Sequence, residues 1–191
     1  MKKLLFFLLL TPISLFAQTD NIQDSIPGTS IILKNNEVIF SKVYESEFDK
    51  DILVEKLSVF ISGISNLEYN FNTSNPYQLN GNLNGNTVNY RKYGGTLMGT
   101  NILLNYPIYA NVVIQIKDNR YRVLVSNMNY KNVPNAMSHN NVDYLLDDLV
   151  TRKKRTSFRT ASESIRVLEY IDRHLSDIFD LNVQNVIDDD F

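Results

Sequence analysis

Two runs of alternating apolar and polar residues, over residues 109–128, form the clearest pattern in the chain. They flank Asp118-Asn119, a dipeptide that suits a two-residue hairpin turn. Counting outward from this turn places six apolar side chains on one face of the hairpin. The cross-strand pairs are Ile116 with Tyr121, Ile114 with Val123, and Val112 with Val125. The pattern predicts an antiparallel hairpin whose apolar face lies in the protein core.

The opposite face of the same hairpin is mostly polar. The register sets Lys117 opposite Arg120 and Gln115 opposite Arg122. Exposed sheets commonly carry lysine and arginine, which discourage pairing between sheet edges, so solvation alone explains such a face. The functional alternative is an anionic partner, to which arginine supplies planar, bidentate donors. Gln115, Lys117, Arg120 and Arg122 are therefore the candidate partner-binding residues.

Two segments have the spacing of amphipathic helices. Asp49 is placed to cap a helix that ends near Gly63 and whose apolar residues recur every three or four positions. A second helix is predicted over residues 162–179, where the polar face mixes acidic and basic side chains. Its apolar stripe comprises Ile165, Leu168, Ile171, Leu175, Ile178 and Phe179. This mixture favours packing against the core over a helix lying free on a membrane surface.

Three further segments have weaker patterns. Residues 37–44 are rich in β-branched and aromatic side chains and predict a strand. Residues 141–150 predict a short helix, within a helical insertion over residues 134–160. Residues 66–90 are crowded with asparagine, which predicts a polar edge hairpin or loop, because Asn-Gly pairs form turns. A hydrogen-bonding platform for a polar ligand such as a glycan is the alternative reading of this segment.

The start of the chain has the pattern of a secretory signal peptide. Lys2 and Lys3 precede a short apolar run, a break at Pro12, and a cleavage site after Ala17. The run is too short to span a membrane. We expect residues 1–17 to be removed, residues 18–30 to form a flexible tether, residues 31–182 to form one domain, and residues 183–191 to form an acidic tail. The mature protein is then periplasmic or extracellular, with no transmembrane segment.

Charge and composition narrow the function classes. The 191 residues include 19 basic and 21 acidic side chains and no cysteine. A general nucleic-acid binder is disfavoured, because no overall basic excess exists to meet phosphates. The lack of cysteine excludes disulfides, thiolate catalysis and cysteine metal sites.

Several of these segments together resemble a bacterial family of exported proteins of unknown function with a TBP-like fold. The resemblance extends over about residues 38–132, with the final helix completing the architecture. It rests on the strand containing Val38-Ile39-Phe40, the helix over residues 51–63, and the hairpin of residues 113–123, in particular Lys117-Asp118-Asn119-Arg120-Tyr121-Arg122. The resemblance implies an α+β fold in β-α-β(n)-α order, with a curved antiparallel sheet and helices on one face. It supplies no catalytic residue, and a fold name does not imply DNA binding.

Few side chains in the sequence are candidates for catalysis or metal binding. His174 lies at the border of the apolar stripe of the last helix, which is a structural position. His139 and Asp143 have the spacing of a metal pair, but no third ligand is apparent. The adjacent acids at 147–148 and 188–190 and the basic cluster 152–155 are typical of solvated surface, although the basic cluster also suits an anionic surface. We therefore predict no catalytic residue, no cofactor and no metal.

The leading hypothesis is an exported, non-catalytic domain that binds either an envelope or secreted protein or an anionic component of the envelope. A carboxylate-based hydrolase of extracellular polymers is the enzymatic alternative, and it requires two acids that converge in one pocket. A glycan- or lipid-binding module is the third, and it requires a groove lined with tyrosine and asparagine.

Overall fold

A computed structural model describes residues 22–135 and 140–182. Within these ranges, eight strands form one antiparallel sheet in the order β1-β2-β3-β7-β6-β5-β4, and β8 pairs with the C-terminal half of β7. The strands are β1 (Ile22–Ser25), β2 (Ile31–Lys34), β3 (Glu37–Glu45), β4 (Leu67–Asn72), β5 (Asn75–Asn86), β6 (Ile108–Lys117), β7 (Arg120–Pro134) and β8 (Asn141–Leu145). The helices are α1 (Lys50–Ser62), α2 (Leu146–Val150) and α3 (Ser162–Ile178). Short 3₁₀ turns cover Tyr90–Tyr93, Ile102–Asn105 and Lys153–Arg155.

The β6–β7 hairpin lies at the centre of the sheet and has the predicted register. Ile116 pairs with Tyr121, Ile114 with Val123, and Val112 with Val125, and all six side chains are buried. Asn119 occupies the turn with a φ of 61°, in the left-handed region that asparagine tolerates. The predicted α+β class with a curved antiparallel sheet is confirmed.

The two long helices pack on one face of this sheet. The Asp49 carboxylate accepts hydrogen bonds from the backbone N–H groups of Asp51 and Ile52, both at 3.0 Å, and so caps α1 as predicted. Helix α1 buries Leu53, Leu57, Phe60 and Ile61 and packs against β5 and β6. Helix α3 buries Val167, Leu168, Ile171, His174 and Leu175 and packs against β3 and α2. Core packing of the last helix is therefore confirmed.

Tyr121 ties the central hairpin to the end of α3. Its hydroxyl donates to the Phe179 carbonyl oxygen at 2.7 Å and accepts from the Leu181 backbone N–H at 2.9 Å. Its ring stacks on Tyr44, with centroids 4.9 Å apart, and the Tyr44 hydroxyl donates to the Ser176 carbonyl oxygen at 3.0 Å. Burial raises the pKa of both phenols well above the usual range, so both remain donors at physiological pH.

Two predicted segments differ from the structure. The tether prediction fails for residues 22–30, because β1 pairs with β2 and Ile26 is buried. Residues 141–145 form β8 instead of helix, since Val142 pairs with Val133 and Tyr144 with Tyr130, and only residues 146–150 are helical. A run this short fits both a helical and an extended period. The predicted signal peptide and acidic tail lie outside the described residues.

The asparagine-rich segment is the β4–β5 hairpin, in which β4 is the edge strand and β5 is internal. Asn80, Asn82 and Asn84 are exposed, but Asn86 leaves their row. The pairing shifts around Gly85, whose φ of 100° is one that glycine adopts readily. As a result, the Asn86 side chain contacts His174 beside the core instead of facing solvent.

Candidate functional site

The candidate site lies on the sheet face that the two long helices leave uncovered. Because successive side chains of a strand point to opposite faces, the residues that alternate in sequence with the buried ones lie on the uncovered face. One outward row crosses four strands through Val43, Arg122, Gln115 and Gln78. The next outward row, at the end of the central hairpin, contains Glu45, Arg120 and Lys117. The register therefore places all four predicted residues on one face.

These residues surround a common cavity of about 200 Å³. Its lining comprises Val43, Gln115, Lys117, Arg120, Tyr121 and Arg122. The four side chains chosen from the sequence thus meet at one place. Val43 was missed, because it reaches the cavity through the pairing of β3 with β7, which separates the two residues by a long stretch of sequence.

Gln115 fixes the orientation of one guanidinium. Its Oε1 accepts from Arg122 Nε at 3.1 Å and from Arg122 Nη2 at 2.6 Å. A guanidinium has five N–H donors, so three remain for another acceptor. Holding the group in one orientation lowers the entropy lost when a carboxylate or phosphate binds it.

The three cations of the site carry unneutralised charge. Throughout residues 22–135 and 140–182, no acidic side chain forms an ion pair with Lys117, Arg120 or Arg122. Glu45 is the cross-strand neighbour of Arg120 but forms no salt bridge with it. All three cations are exposed. Their charges therefore add, and the cavity favours an anion.

An apolar strip continues the site across the sheet. Val43 is 50% exposed, and Val113, Leu124 and Ile39 are half-buried on the same face. The last three line a second cavity, of about 280 Å³, which shares Arg122 with the first. The uncovered face thus combines a cationic end with an adjoining apolar surface.

His174 is more buried than predicted and has a structural role. It is 8% exposed, its Nδ1 accepts from the Asn89 backbone N–H at 3.4 Å, and its Nε2 is hydrogen-bonded to the Asn86 side-chain oxygen. These partners assign the neutral tautomer with the proton on Nε2. Burial lowers the pKa of His174 to about 4. The imidazole is therefore neutral at physiological pH and enclosed.

The predicted metal pair does not extend to a described cluster. His139 lies outside the described residues, and the Asp143 carboxylate accepts from the Asn132 backbone N–H at 2.8 Å. Among the described residues, no group of three or more metal-ligating side chains occurs.

The acidic pair at 147–148 and the basic cluster are joined to each other. Asp147, 6% exposed, accepts from the Val38 backbone N–H at 2.9 Å and from Arg155 Nη1 at 3.1 Å. Arg155 also donates to the Asp148 carboxylate at 3.0 and 2.8 Å. Burial raises the pKa of Asp147, against the stabilising hydrogen bond from Val38 and the positive charge of Arg155. Arg155 therefore has a structural role as the partner of both carboxylates, whereas Arg152, Lys153 and Lys154 are exposed.

The described part of the chain contains three α-helices, of which α3 is the longest. None of its helices has both the length and the apolar character that crossing a bilayer requires.

Comparison with known proteins identifies the fold. No family model matches the chain, and no curated protein matches it. A crystal structure of a TBP-like protein from Parabacteroides distasonis aligns with a TM-score of 0.52 and 16% identity, covering 80% of this chain and 96% of that one. A DUF4468 family protein from Bacteroides ovatus aligns with a TM-score of 0.48 and 10% identity, covering 81% and 85% of the two chains. The chain has the TBP-like fold that its sequence resemblance implies.

Proposed function

We propose that this chain is an exported, non-catalytic binding domain that docks an acidic segment of another envelope or secreted protein on its uncovered sheet face. The observation that carries the proposal is the set of three exposed cations, Lys117, Arg120 and Arg122, around one cavity without an ion pair among the described residues. Carboxylates are the protein groups that match such a set, since arginine binds them through two parallel hydrogen bonds.

The apolar strip favours a protein segment over a simple anion. Val43 and Leu124 lie beside the cations, and burying them contributes free energy that an inorganic phosphate cannot supply. An extended peptide that alternates acidic and apolar residues would place carboxylates on the cations and aliphatic groups on the strip. A fully solvated face, the alternative left by the sequence, predicts no such binding.

The binding test uses a fluorescent synthetic peptide of alternating glutamate and valine, measured by anisotropy. We expect Arg120→Gln combined with Arg122→Gln to raise the Kd about tenfold or more at low ionic strength, and less at high salt, because screening weakens exposed ion pairs. Arg152→Gln combined with Lys153→Gln removes the same charge from another exposed site and is the matched control. An equal loss in both double variants, or none in either, would overturn the docking proposal.

Two further probes separate the protein partner from other anions. Vesicles of phosphatidylglycerol and inorganic polyphosphate offer phosphate charge without the alternating aliphatic side chains of the peptide. Tighter binding of either probe than of the peptide would contradict the choice of an acidic protein segment. Val43→Ser tests the apolar contribution, since it is expected to weaken peptide binding and leave polyphosphate binding unchanged.

The export proposal rests on the leader pattern and has its own test. Mass spectrometry of the protein purified from a cell envelope fraction is expected to find Gln18 as the first residue and no peptide from residues 1–17. Recovery of the abundant species with an intact leader would contradict export and leave the binding test unaffected.

A further inference from the structure

Another cavity lies on the helix-covered side of the sheet. It has a volume of about 230 Å³. The 3₁₀ turn Ile102–Asn105, the helices α2 and α3, and the inward face of β7 form its walls. Leu103, Leu149, Val150 and Val167 give it apolar walls. It shares no lining residue with the site on the uncovered sheet face.

Tyr130 lines this cavity and has an unusual hydroxyl. The side chain is 1% exposed, and its hydroxyl oxygen has no hydrogen-bond partner within the described ranges. Tyr121, equally buried on the same strand, both donates and accepts through its hydroxyl. Burial raises the pKa of Tyr130, so the group remains a donor. A buried hydroxyl without a partner lowers stability, and a native structure that retains one points to a partner from outside the chain.

The polar groups of the cavity balance in charge. Arg159 donates through Nε to the Thr151 carbonyl oxygen at 2.7 Å and through Nη2 to the Asp148 carbonyl oxygen at 3.0 Å. Asn101 Nδ2 donates to the Glu163 carboxylate at 2.8 Å. Asp148 also lines the cavity, and its carboxylate is already bound by Arg155.

The remaining cation and carboxylate, Arg159 and Glu163, offset each other. A net charge on a ligand would therefore gain little from this cavity. Donors and acceptors stand side by side, with the hydroxyl of Ser164 as a further group of both kinds. Such a mixture matches a molecule that carries several hydroxyl groups, because each hydroxyl both donates and accepts.

We propose that this cavity binds a small uncharged polyhydroxylated molecule of about the size of a monosaccharide, with one of its oxygens hydrogen-bonded to the Tyr130 hydroxyl. The apolar walls contact the carbon skeleton of the molecule, and Arg159, Glu163 and Asn101 contact its other hydroxyls. The site is independent of peptide docking, since the two cavities have no residue in common.

The test uses the full mature chain and three neutral probes, namely glucose, galactose and N-acetylglucosamine, with glucuronate as the anionic counterpart. Binding is followed by ligand-observed NMR and calorimetry. We expect at least one neutral sugar to bind saturably with a Kd of about 10 mM or lower, and more tightly than glucuronate. Tyr130→Phe is expected to weaken that binding about tenfold, because it removes one buried hydrogen bond to the ligand.

A matched control and a stability measurement keep the result interpretable. Tyr69→Phe also removes one hydroxyl, but this hydroxyl does not line the cavity: it donates to the Ser58 carbonyl oxygen, at a distance of 3.0 Å. This variant is expected to leave sugar binding unchanged. Without ligand, Tyr130→Phe is expected to melt at the same temperature as the parent or higher, because the lost hydroxyl has no partner in the chain.

Three results would overturn the proposal. They are failure of all three neutral sugars to bind, equal sugar binding by the parent and Tyr130→Phe, and a crystal structure grown with saturating sugar that shows only an ordered water on the Tyr130 hydroxyl. Loss of peptide binding in the variants of the uncovered face has no bearing on these outcomes.

Discussion

The two faces of the sheet use their charged residues in different ways. On the helix-covered side, charged side chains have partners within the chain. The Asp147 carboxylate accepts from the Val38 backbone N–H and pairs with Arg155. The Asp177 carboxylate accepts from Lys92 at 2.6 Å and from the Tyr93 hydroxyl at 2.8 Å. On the uncovered side, three cations have no acidic partner in the described part of the chain, and the one that is held contacts a neutral amide. Charges of the first kind serve stability, whereas charges of the second kind are available to a partner. Substitutions on the two faces should therefore separate stability from binding.

The largest expected effect comes from the core between the faces. Ile114→Ala removes a side chain that is 2% exposed at the centre of the sheet, and we expect it to lower the free energy of unfolding by about 2–5 kcal/mol. Chemical denaturation measures the change. A loss below about 0.5 kcal/mol, the scale of a surface substitution, would place this face in solvent and contradict the register.

The central hairpin was predictable because its information is local. A turn dipeptide and strict alternation on both sides fix the register of residues 112–125, and the four candidate side chains follow from that register. The cap at Asp49 and the stripe of α3 are local signals of the same kind.

Features that depend on distant pairing could not be predicted. Val43 lines the cavity only because β3 pairs with β7. The Tyr130 hydroxyl is buried without a hydrogen-bond partner only because α2, α3 and the 3₁₀ turn of residues 102–105 pack around it. β8 was missed for a related reason, since its pairing with β7 decides between two local patterns that five residues leave open.

The ion pair between Asp147 of α2 and Arg155 gives the next largest effect. Asp147→Ala leaves the Val38 N–H and the Arg155 guanidinium without this acceptor, and we expect a loss of about 1–3 kcal/mol by thermal or chemical denaturation. Asp148→Ala is the control, because its side chain is 62% exposed and its pair with Arg155 is worth about 1 kcal/mol or less. Equal losses in the two variants would show that burial does not distinguish them.

The pH dependence of stability tests the buried imidazole. The pKa of His174 is about 4 in the folded protein, against 6.5 for an ordinary histidine. The unfolded chain therefore binds a proton that the folded chain does not, and stability is lost as pH falls from about 6.5 to about 4. We expect a loss of about 1–3 kcal/mol across that interval, from denaturation at several pH values. His174→Gln should make the free energy of unfolding less dependent on pH in this interval. An unchanged pH dependence would mean that other titratable groups cause it.

The smallest effect on stability is expected on the uncovered face. Arg120→Gln and Arg122→Gln together remove two exposed cations that pair with no acidic side chain within the described residues, so the free energy of unfolding should change by about 0.5 kcal/mol or less. Removing neighbouring like charges also relieves repulsion between them. A slight increase in the free energy of unfolding at low salt therefore agrees with this prediction as well as no change does. Denaturation at two ionic strengths checks this. A loss of 2 kcal/mol or more, on the order of a buried substitution, would mean that the fold uses these arginines after all, and the distinction between the two faces would fail.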